Sequence, residues 1–295
     1  MDTRIGFVGL GMMGSAMAER LERSGYALAA YSRTREHTTP FVRRNAVLCE
    51  TPASAGESSG IVFSMISDSA ALEAIALGDE GILSGLPPRG IHVDMSTVSP
   101  EVTRRLEEMY AEHSRFFLHC PVLGSVPQAA EGSLLLFAGG AEEPFQVTEP
   151  ILTKLGRRIW RFERAAHASA LKLVCNSFIA GTITTLAQAL VVARAAGLSG
   201  ETLLEIVGQS AFSSPMIQAK GASMLAGNFA PRFFAEHMLK DISLLLDSAG
   251  SLGCRLPALE AARLLYEEAV AEGLGKEDYS SVIKILEREA RLPAP

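Results

Sequence analysis

Cysteine is scarce in this sequence and nowhere clustered. Cys49, Cys120, Cys175 and Cys254 form no C-x-x-C pair and no metal-ligand spacing. That excludes the common zinc and redox motifs and leaves reduced thiols, in a cytoplasmic enzyme, as the expected state. No basic cluster is present either: the net charge of −6 is mild and spread along the chain, so no cationic face invites nucleic acid. The apolar stretches read as interrupted by charge before about 18 residues, so no membrane-spanning helix and no membrane partner is expected. Internal repeats and low-complexity tracts are absent, and the first residues enter a strand pattern without a signal-peptide layout. With 48% hydrophobic and 20% charged residues over 295 positions, the chain reads as an ordinary globular protein of two domains or one large one.

What is present is concentrated at the start. Arg4-Ile-Gly-Phe-Val-Gly-Leu-Gly-Met-Met-Gly14 reads as a short apolar strand running into G-x-G-x-x-G and a helix that opens near Met13. Gly9 allows the tight turn, Gly11 lets a pyrophosphate approach the backbone, and Gly14 lets helix and strand pack closely. The helix start supplies N–H groups and a dipole for an anion. Gly9, Leu10, Gly11, Met12, Met13 and Gly14 are therefore the candidate dinucleotide cradle. Glycine turns are common, and the flanking strand and helix are what turn this motif into a binding prediction.

Further short apolar runs alternate with helical stretches. Candidate strands are Ile5–Val8, Leu28–Tyr31, Gly60–Met65, Ile91–Asp94, Phe116–His119, Leu134–Ala138 and Arg157–Arg161, with a helix at Pro100–His113. Little alternation within them predicts strands buried on both faces of a mainly parallel sheet. The fold class is α/β: an N-terminal Rossmann, doubly wound domain over residues 1–163. An all-α domain is predicted over 164–295. Its first helix, from Ala165 to Arg194, contains no proline and one glycine, Gly181. It is apolar all round and is predicted to be long and central. Helices are also expected at Gly200–Ser210, Met216–Ala226, Phe233–Leu252, Pro257–Glu272 and Ser280–Ala290.

In NAD-binding units an acidic residue near the end of the second strand bonds the ribose 2′-hydroxyl. Here that position reads Ser32-Arg33-Thr34-Arg35, with no acid. A guanidinium pairs bidentately with a 2′-phosphate and stacks on a flat base, although an arginine after a strand is also an ordinary solvated charge. Ser32, Arg33 and Thr34 are thus candidate cofactor contacts, with NADP expected and NAD the alternative.

The opening glycine motif, Asp94-Met-Ser-Thr97, the segment around Lys172 and Asn176, and Gly275-Lys-Glu-Asp-Tyr-Ser-Ser-Val-Ile-Lys284 together resemble the β-hydroxyacid dehydrogenases over the whole chain. The resemblance implies that Met65, Ile66 and Ser67 run beside the cofactor. It implies that Ser96 and Thr97 approach its nicotinamide side, Ser96 toward substrate. The Asp94–Pro100 stretch also reads as a strand end followed by a helix cap, Ser99, with Pro100 in the first turn, and the two readings are compatible. Residues 119–125, His-Cys-Pro-Val-Leu-Gly-Ser, resemble a substrate loop that usually reads D-A-P-V-S-G-G. Leu123 replaces a serine that holds the substrate carboxylate, and Ser125 is a substitute hydroxyl beside Gly124. By the same resemblance Lys172 is the general acid/base and Asn176, four residues on and on the same helix face as Ser169, positions substrate. Lys240, in the pair Lys240-Asp241, contacts the cofactor. From spacing alone, Lys172 would read as a snorkelling surface lysine and Lys240-Asp241 as an exposed charged pair. His119, His167 and His237 share no spacing and read as structural, and no metal site is expected.

Function then reads as reversible, NADPH-preferring reduction of a short aldehyde or keto acid such as glyoxylate or succinic semialdehyde. An imine reductase on the same scaffold and a catalytically silent dinucleotide-binding protein are the alternatives. A homo-oligomer, dimer or tetramer, is expected from the family.

Overall fold

The computed structural model describes residues 4–44 and 46–292. Among these residues one sheet holds nine strands: β1 (Arg4–Val8), β2 (Ala27–Tyr31), β3 (Val47–Leu48), β4 (Ile61–Ser64), β5 (Ile91–Asp94), β6 (Phe116–His119), β7 (Val122–Leu123), β8 (Leu134–Gly139) and β9 (Gly156–Phe162). Their order is β3-β2-β1-β4-β5-β6-β8-β7, with β9 also pairing with β8. From β3 to β6 every pairing is parallel. β8 runs antiparallel to β6 and β7 and parallel to β9. The helices that bear on the site are α1 (Met12–Arg23), α2 (Pro100–Glu112), α3 (Val126–Glu131), α4 (Ala165–Ala195) and α5 (Ala235–Ser251).

The strands lack alternation because both sheet faces are covered. Phe7, Ala30, Phe63 and Leu118 join one apolar cluster with Met17 and Leu21 of α1. Their strand neighbours Val8, Ala29, Val62 and Phe117 join another with Leu106 and Tyr110 of α2. This is the doubly wound arrangement expected of such runs. Each of the seven predicted strands is present with ends shifted by at most one residue. The sequence reading missed β3 and β7, two-residue strands too short to carry a period.

Compact packing divides the chain between Lys172 and Leu173, within α4. The second unit is helical. Helix α4 has 31 residues, about 46 Å at 1.5 Å per residue. Two expectations about it need correction. It is not buried all round: Leu173, Ala180, Ile183, Ala187 and Leu190 are fully buried in the helical core, whereas Phe178 and Val192 are 74% and 67% exposed. Nor is its apolar stretch interrupted early by charge. From Leu173 to Ala193 there is no Asp, Glu, Lys or Arg, and by length and composition the helix could cross a membrane. Its buried stripe packs into the apolar core of the second unit.

Helix α5 begins at Ala235 rather than Phe233, because Phe234 is its cap and bridges to Asp278. The last predicted helix opens as a 3₁₀ turn, Tyr279–Val282, before the α-helical Ile283–Glu289.

Candidate functional site

The glycine turn is built as the motif demands. Gly9 has φ +93°, and a Cβ there would lie 2.3 Å from the Met65 carbonyl oxygen. A Cβ on Gly14 would meet the Gly9 carbonyl oxygen at 2.0 Å. Neither position accepts any side chain. A Cβ on Gly11 would meet nothing within 4 Å, so the backbone there is open to a ligand. Helix α1 starts at Met12, one residue earlier than expected, with Gly11 as an extended N-cap; no side chain caps it and its first turn holds no acid. Uncompensated N–H groups at that end suit a phosphate. Ser15 secures the turn by donating its hydroxyl to the Leu10 carbonyl at 2.8 Å. Leu10 is buried, Met13 half-buried and Met12 exposed. These residues fit a dinucleotide.

At the end of β2, Ser32 is buried while Arg33 and Thr34 are exposed. Arg35 is ion-paired with Glu50.

The strand ends beside this turn carry a network that the sequence reading did not assign. Ser64, Asp94 and His119 are register partners across β4, β5 and β6, and all three are fully buried. Ser64 and Ser96 each donate a hydroxyl to Asp94 Oδ1 at 2.7 Å. His119 Nδ1 donates to Oδ2 at 3.0 Å, and the Ser96 N–H reaches the same oxygen at 3.3 Å. Because Ser64 donates to Asp94, it accepts from His92 Nε2 at 2.8 Å, and His92 Nδ1 then accepts from the Tyr110 hydroxyl at 2.8 Å. The donors thus all run toward one carboxylate. Burial alone would raise the Asp94 carboxyl, but the His119 hydrogen bond and the nearby imidazoles bring it below its ordinary value. His119 is one of the donors to Asp94, the centre of this network.

Burial pushes the His92 imidazole down to about 4 from 6.5. Between these values the unfolded chain takes up a proton that the folded chain refuses, so stability is full above 6.5 and falls as pH drops toward 4. From pH 7 to pH 5 the expected loss from this one group is about 2 kcal/mol. Urea unfolding at the two pH values should show that loss in the wild type and a smaller one in His92→Gln.

Ser96 is fully buried, and besides donating to Asp94 it accepts the Ile66 N–H at 2.9 Å. Its hydroxyl therefore has internal partners on both sides, which the expectation of a substrate contact did not foresee. Met65 donates its N–H to the Val8 carbonyl at 3.0 Å, and Ser67 hydrogen-bonds Asp68 at 2.7 Å. Thr97 is half-buried. In the 122–125 loop, Leu123 is half-buried and pairs with Leu135 of β8. Gly124 has φ +141°, a backbone conformation that strains any other residue, and a Cβ there would meet Leu134 Cδ2 at 2.7 Å. The Ser125 hydroxyl donates to Gln128 Oε1 at 2.7 Å, a cap for α3, so its hydrogen is committed within the loop.

Lys172 is only 7% exposed, which overturns the bland surface reading. One turn earlier, Ser169 donates to the Val98 carbonyl at 2.6 Å and is itself buried. That bond ties this face of α4 to the loop that carries Ser96 and Thr97. Within the second unit, Asn176 is 4% exposed and donates to Asp241 Oδ2 at 2.6 Å. Lys240 Nζ lies 3.0 Å from Asp241 Oδ1. Asp241, 1% exposed, thus joins Asn176 to Lys240, and only its adjacence to Lys240 marked it in the sequence. His237 lies among the rings of Phe233 and Phe234, where burial lowers its pKa. No cluster of His, Cys, Asp and Glu among the described residues could hold a metal.

Comparison with known proteins agrees with this geometry. Residues 4–164 match the NAD binding domain of 6-phosphogluconate dehydrogenase, and residues 166–286 match the NAD-binding region of NADP-dependent 3-hydroxyisobutyrate dehydrogenase. The chain is 32% identical to 2-(hydroxymethyl)glutarate dehydrogenase of Eubacterium barkeri over 97% of its own length and 95% of that protein. The crystal structure of 3-hydroxyisobutyrate dehydrogenase from Salmonella typhimurium superposes with a TM-score of 0.87 at 25% identity, covering 96% of this chain and 100% of that one. The imine reductase from Myxococcus stipitatus in complex with NADP+ shares the fold alone, with a TM-score of 0.66 at 23% identity over 96% of this chain and 99% of that one. The chain belongs to the β-hydroxyacid dehydrogenase family and is a nicotinamide-dinucleotide-dependent oxidoreductase of the 3-hydroxyisobutyrate dehydrogenase type.

Proposed function

We propose that this oxidoreductase reversibly reduces a short aldehyde or keto acid, with glyoxylate and succinic semialdehyde as the first candidates, and that it prefers NADPH. The observation that carries the chemistry is the buried Lys172 on a helix that Ser169 ties to the loop after β5. Burying an ammonium is costly, and one held there suits proton transfer to a carbonyl oxygen. The bound nicotinamide supplies or accepts the hydride. Protonated Lys172 Nζ stabilises the developing alkoxide and then delivers the proton; in the oxidative direction it accepts the hydroxyl proton. Asp241 orients the Asn176 amide, which serves substrate placement, and Lys240 serves the cofactor.

The NADP preference rests on Arg33, exposed beside Ser32 and Thr34 with no acid at the end of β2. Arg33→Asp should weaken NADPH binding by about 10–100-fold, the loss of a charge-assisted pair, while NADH changes little. Fluorescence titration with both dinucleotides checks this, and equal weakening of the two would remove Arg33 from the 2′-phosphate.

Leu123, where an apolar side chain stands in the 122–125 loop, and the Ser125 hydroxyl committed to Gln128 favour one second reading, an imine substrate. A turnover assay with NADPH or NADH against glyoxylate, succinic semialdehyde, methylmalonate semialdehyde and a cyclic imine decides between them. Rapid loss with an aldehyde acid supports the first reading, and loss with the imine alone supports the second. Absence of turnover while NADPH binds leaves a silent binding protein. The proposal extends to self-association through the exposed side of α4, where Val174, Phe178 and Val192 face outward; sedimentation at two protein concentrations tests it.

A further inference from the structure

The Ser96 hydroxyl is placed to set the shape of the dinucleotide turn. The wall behind Gly9 is the Met65–Ile66 backbone: a Cβ on Gly9 would lie 2.3 Å from the Met65 carbonyl oxygen and 2.9 Å from Ile66 Cγ2. Any shift of that wall moves the surface against which the turn rests. Met65 is held by the Val8 carbonyl, and Ile66 by Ser96 Oγ at 2.9 Å. Ser96 Oγ is in turn aimed by its own bond to Asp94 Oδ1 at 2.7 Å. The carboxylate is fixed from two neighbouring strands, by Ser64 at 2.7 Å and His119 at 3.0 Å. A strut therefore runs from the buried carboxylate through one hydroxyl to the Ile66 peptide.

We infer that Ser96 is a positioning residue for the dinucleotide: its hydroxyl, oriented by Asp94, holds the Ile66 peptide against the Gly9 turn, and it is not a substrate ligand. The inference rests on the dinucleotide-dependent reading of the chain. Its donor hydrogen and an acceptor lone pair are both engaged inside the protein, and the side chain has no exposed surface. Removing the hydroxyl leaves the Ile66 N–H without its partner, and the peptide then relaxes away from the turn.

The test is NADPH titration, by fluorescence, of the full-length wild type, Ser96→Ala, Ser96→Cys and Ser96→Thr, well below their unfolding midpoints. Ser96→Ala is expected to bind NADPH about tenfold more weakly. The KM for the aldehyde acid at saturating NADPH should be unchanged, and Ser96→Thr, which keeps the hydroxyl, should bind within about twofold of wild type. Ser96→Cys keeps the volume with a poor hydrogen-bonding group and should also bind weakly, which preserves the test should the alanine variant not fold. Wild-type NADPH affinity in both the alanine and cysteine variants, with a raised substrate KM, overturns the inference and returns Ser96 to the substrate. A wild-type chain that binds neither NADPH nor NADH overturns this inference together with the function proposed above.

Discussion

Lys172→Ala should lower turnover by about 10²–10⁴-fold, the range that a positioned acid/base group contributes, while the affinity for NADPH stays near that of wild type. The side chain is buried on α4, so the truncation leaves a space where an ammonium stood. Lys172→Arg would keep a charge but hold its proton too tightly to exchange it near neutrality, and is expected to recover little. The measurements are single-turnover reduction of the best aldehyde acid and direct titration with NADPH. Undiminished turnover in Lys172→Ala would remove the lysine from the mechanism; loss of NADPH binding would recast it as a cofactor ligand.

Asp94→Ala should cost about 3–5 kcal/mol of folding stability, because a buried acceptor is removed while its donors stay behind. Those donors are the Ser64 and Ser96 hydroxyls and His119 Nδ1. The milder variant is Asp94→Asn. Its amide oxygen accepts the two hydroxyls, and its NH₂ group meets His119 only if the ring moves its proton to Nε2. That atom has no hydrogen-bond partner among the described residues, so a smaller cost remains. The carboxyl lies below its ordinary value; its contribution is therefore present above the unfolded pKa and is lost as pH falls through the folded one. Urea unfolding of the three proteins at pH 7 ranks them. A change below about 1 kcal/mol in Asp94→Ala would reduce the network to a marginal feature.

The parts of this protein that are local in sequence were legible, and those that cross strands were not. Gly9, Gly11 and Gly14 announce their backbone, because strand, turn and helix are contiguous there. Seven strands were recoverable from apolar runs. Val47–Leu48 and Val122–Leu123 were not, since two residues have no period and each strand exists only through its partner, Ala29–Ala30 or Leu135–Leu136. The Asp94 network joins residues 25 to 30 positions apart, beyond any local pattern. One signal was available: His92 and Asp94 stand two apart in a strand read as buried on both faces, where polar side chains must find partners. The bond that Ser96 accepts from the Ile66 N–H spans 30 positions and was out of reach for the same reason. Helix α4 was legible in length but not in orientation, because a nearly uniform apolar sequence does not say which stripe is covered.

The dinucleotide turn divides labour in a way that matters to anyone redesigning this protein. At Gly9 and Gly14 backbone oxygens occupy the space of a side chain, so selection has no alphabet there beyond one letter. Positions 33 and 34 carry the opposite freedom: both are exposed, and Arg33 and Thr34 could be exchanged without disturbing the core. The glycine turn is fixed in the main chain, and under the function proposed above the choice between cofactors would fall to replaceable side chains. On that proposal a change of coenzyme is a short evolutionary path, open through single substitutions, whereas one methyl group at Gly9 or Gly14 already breaks the turn.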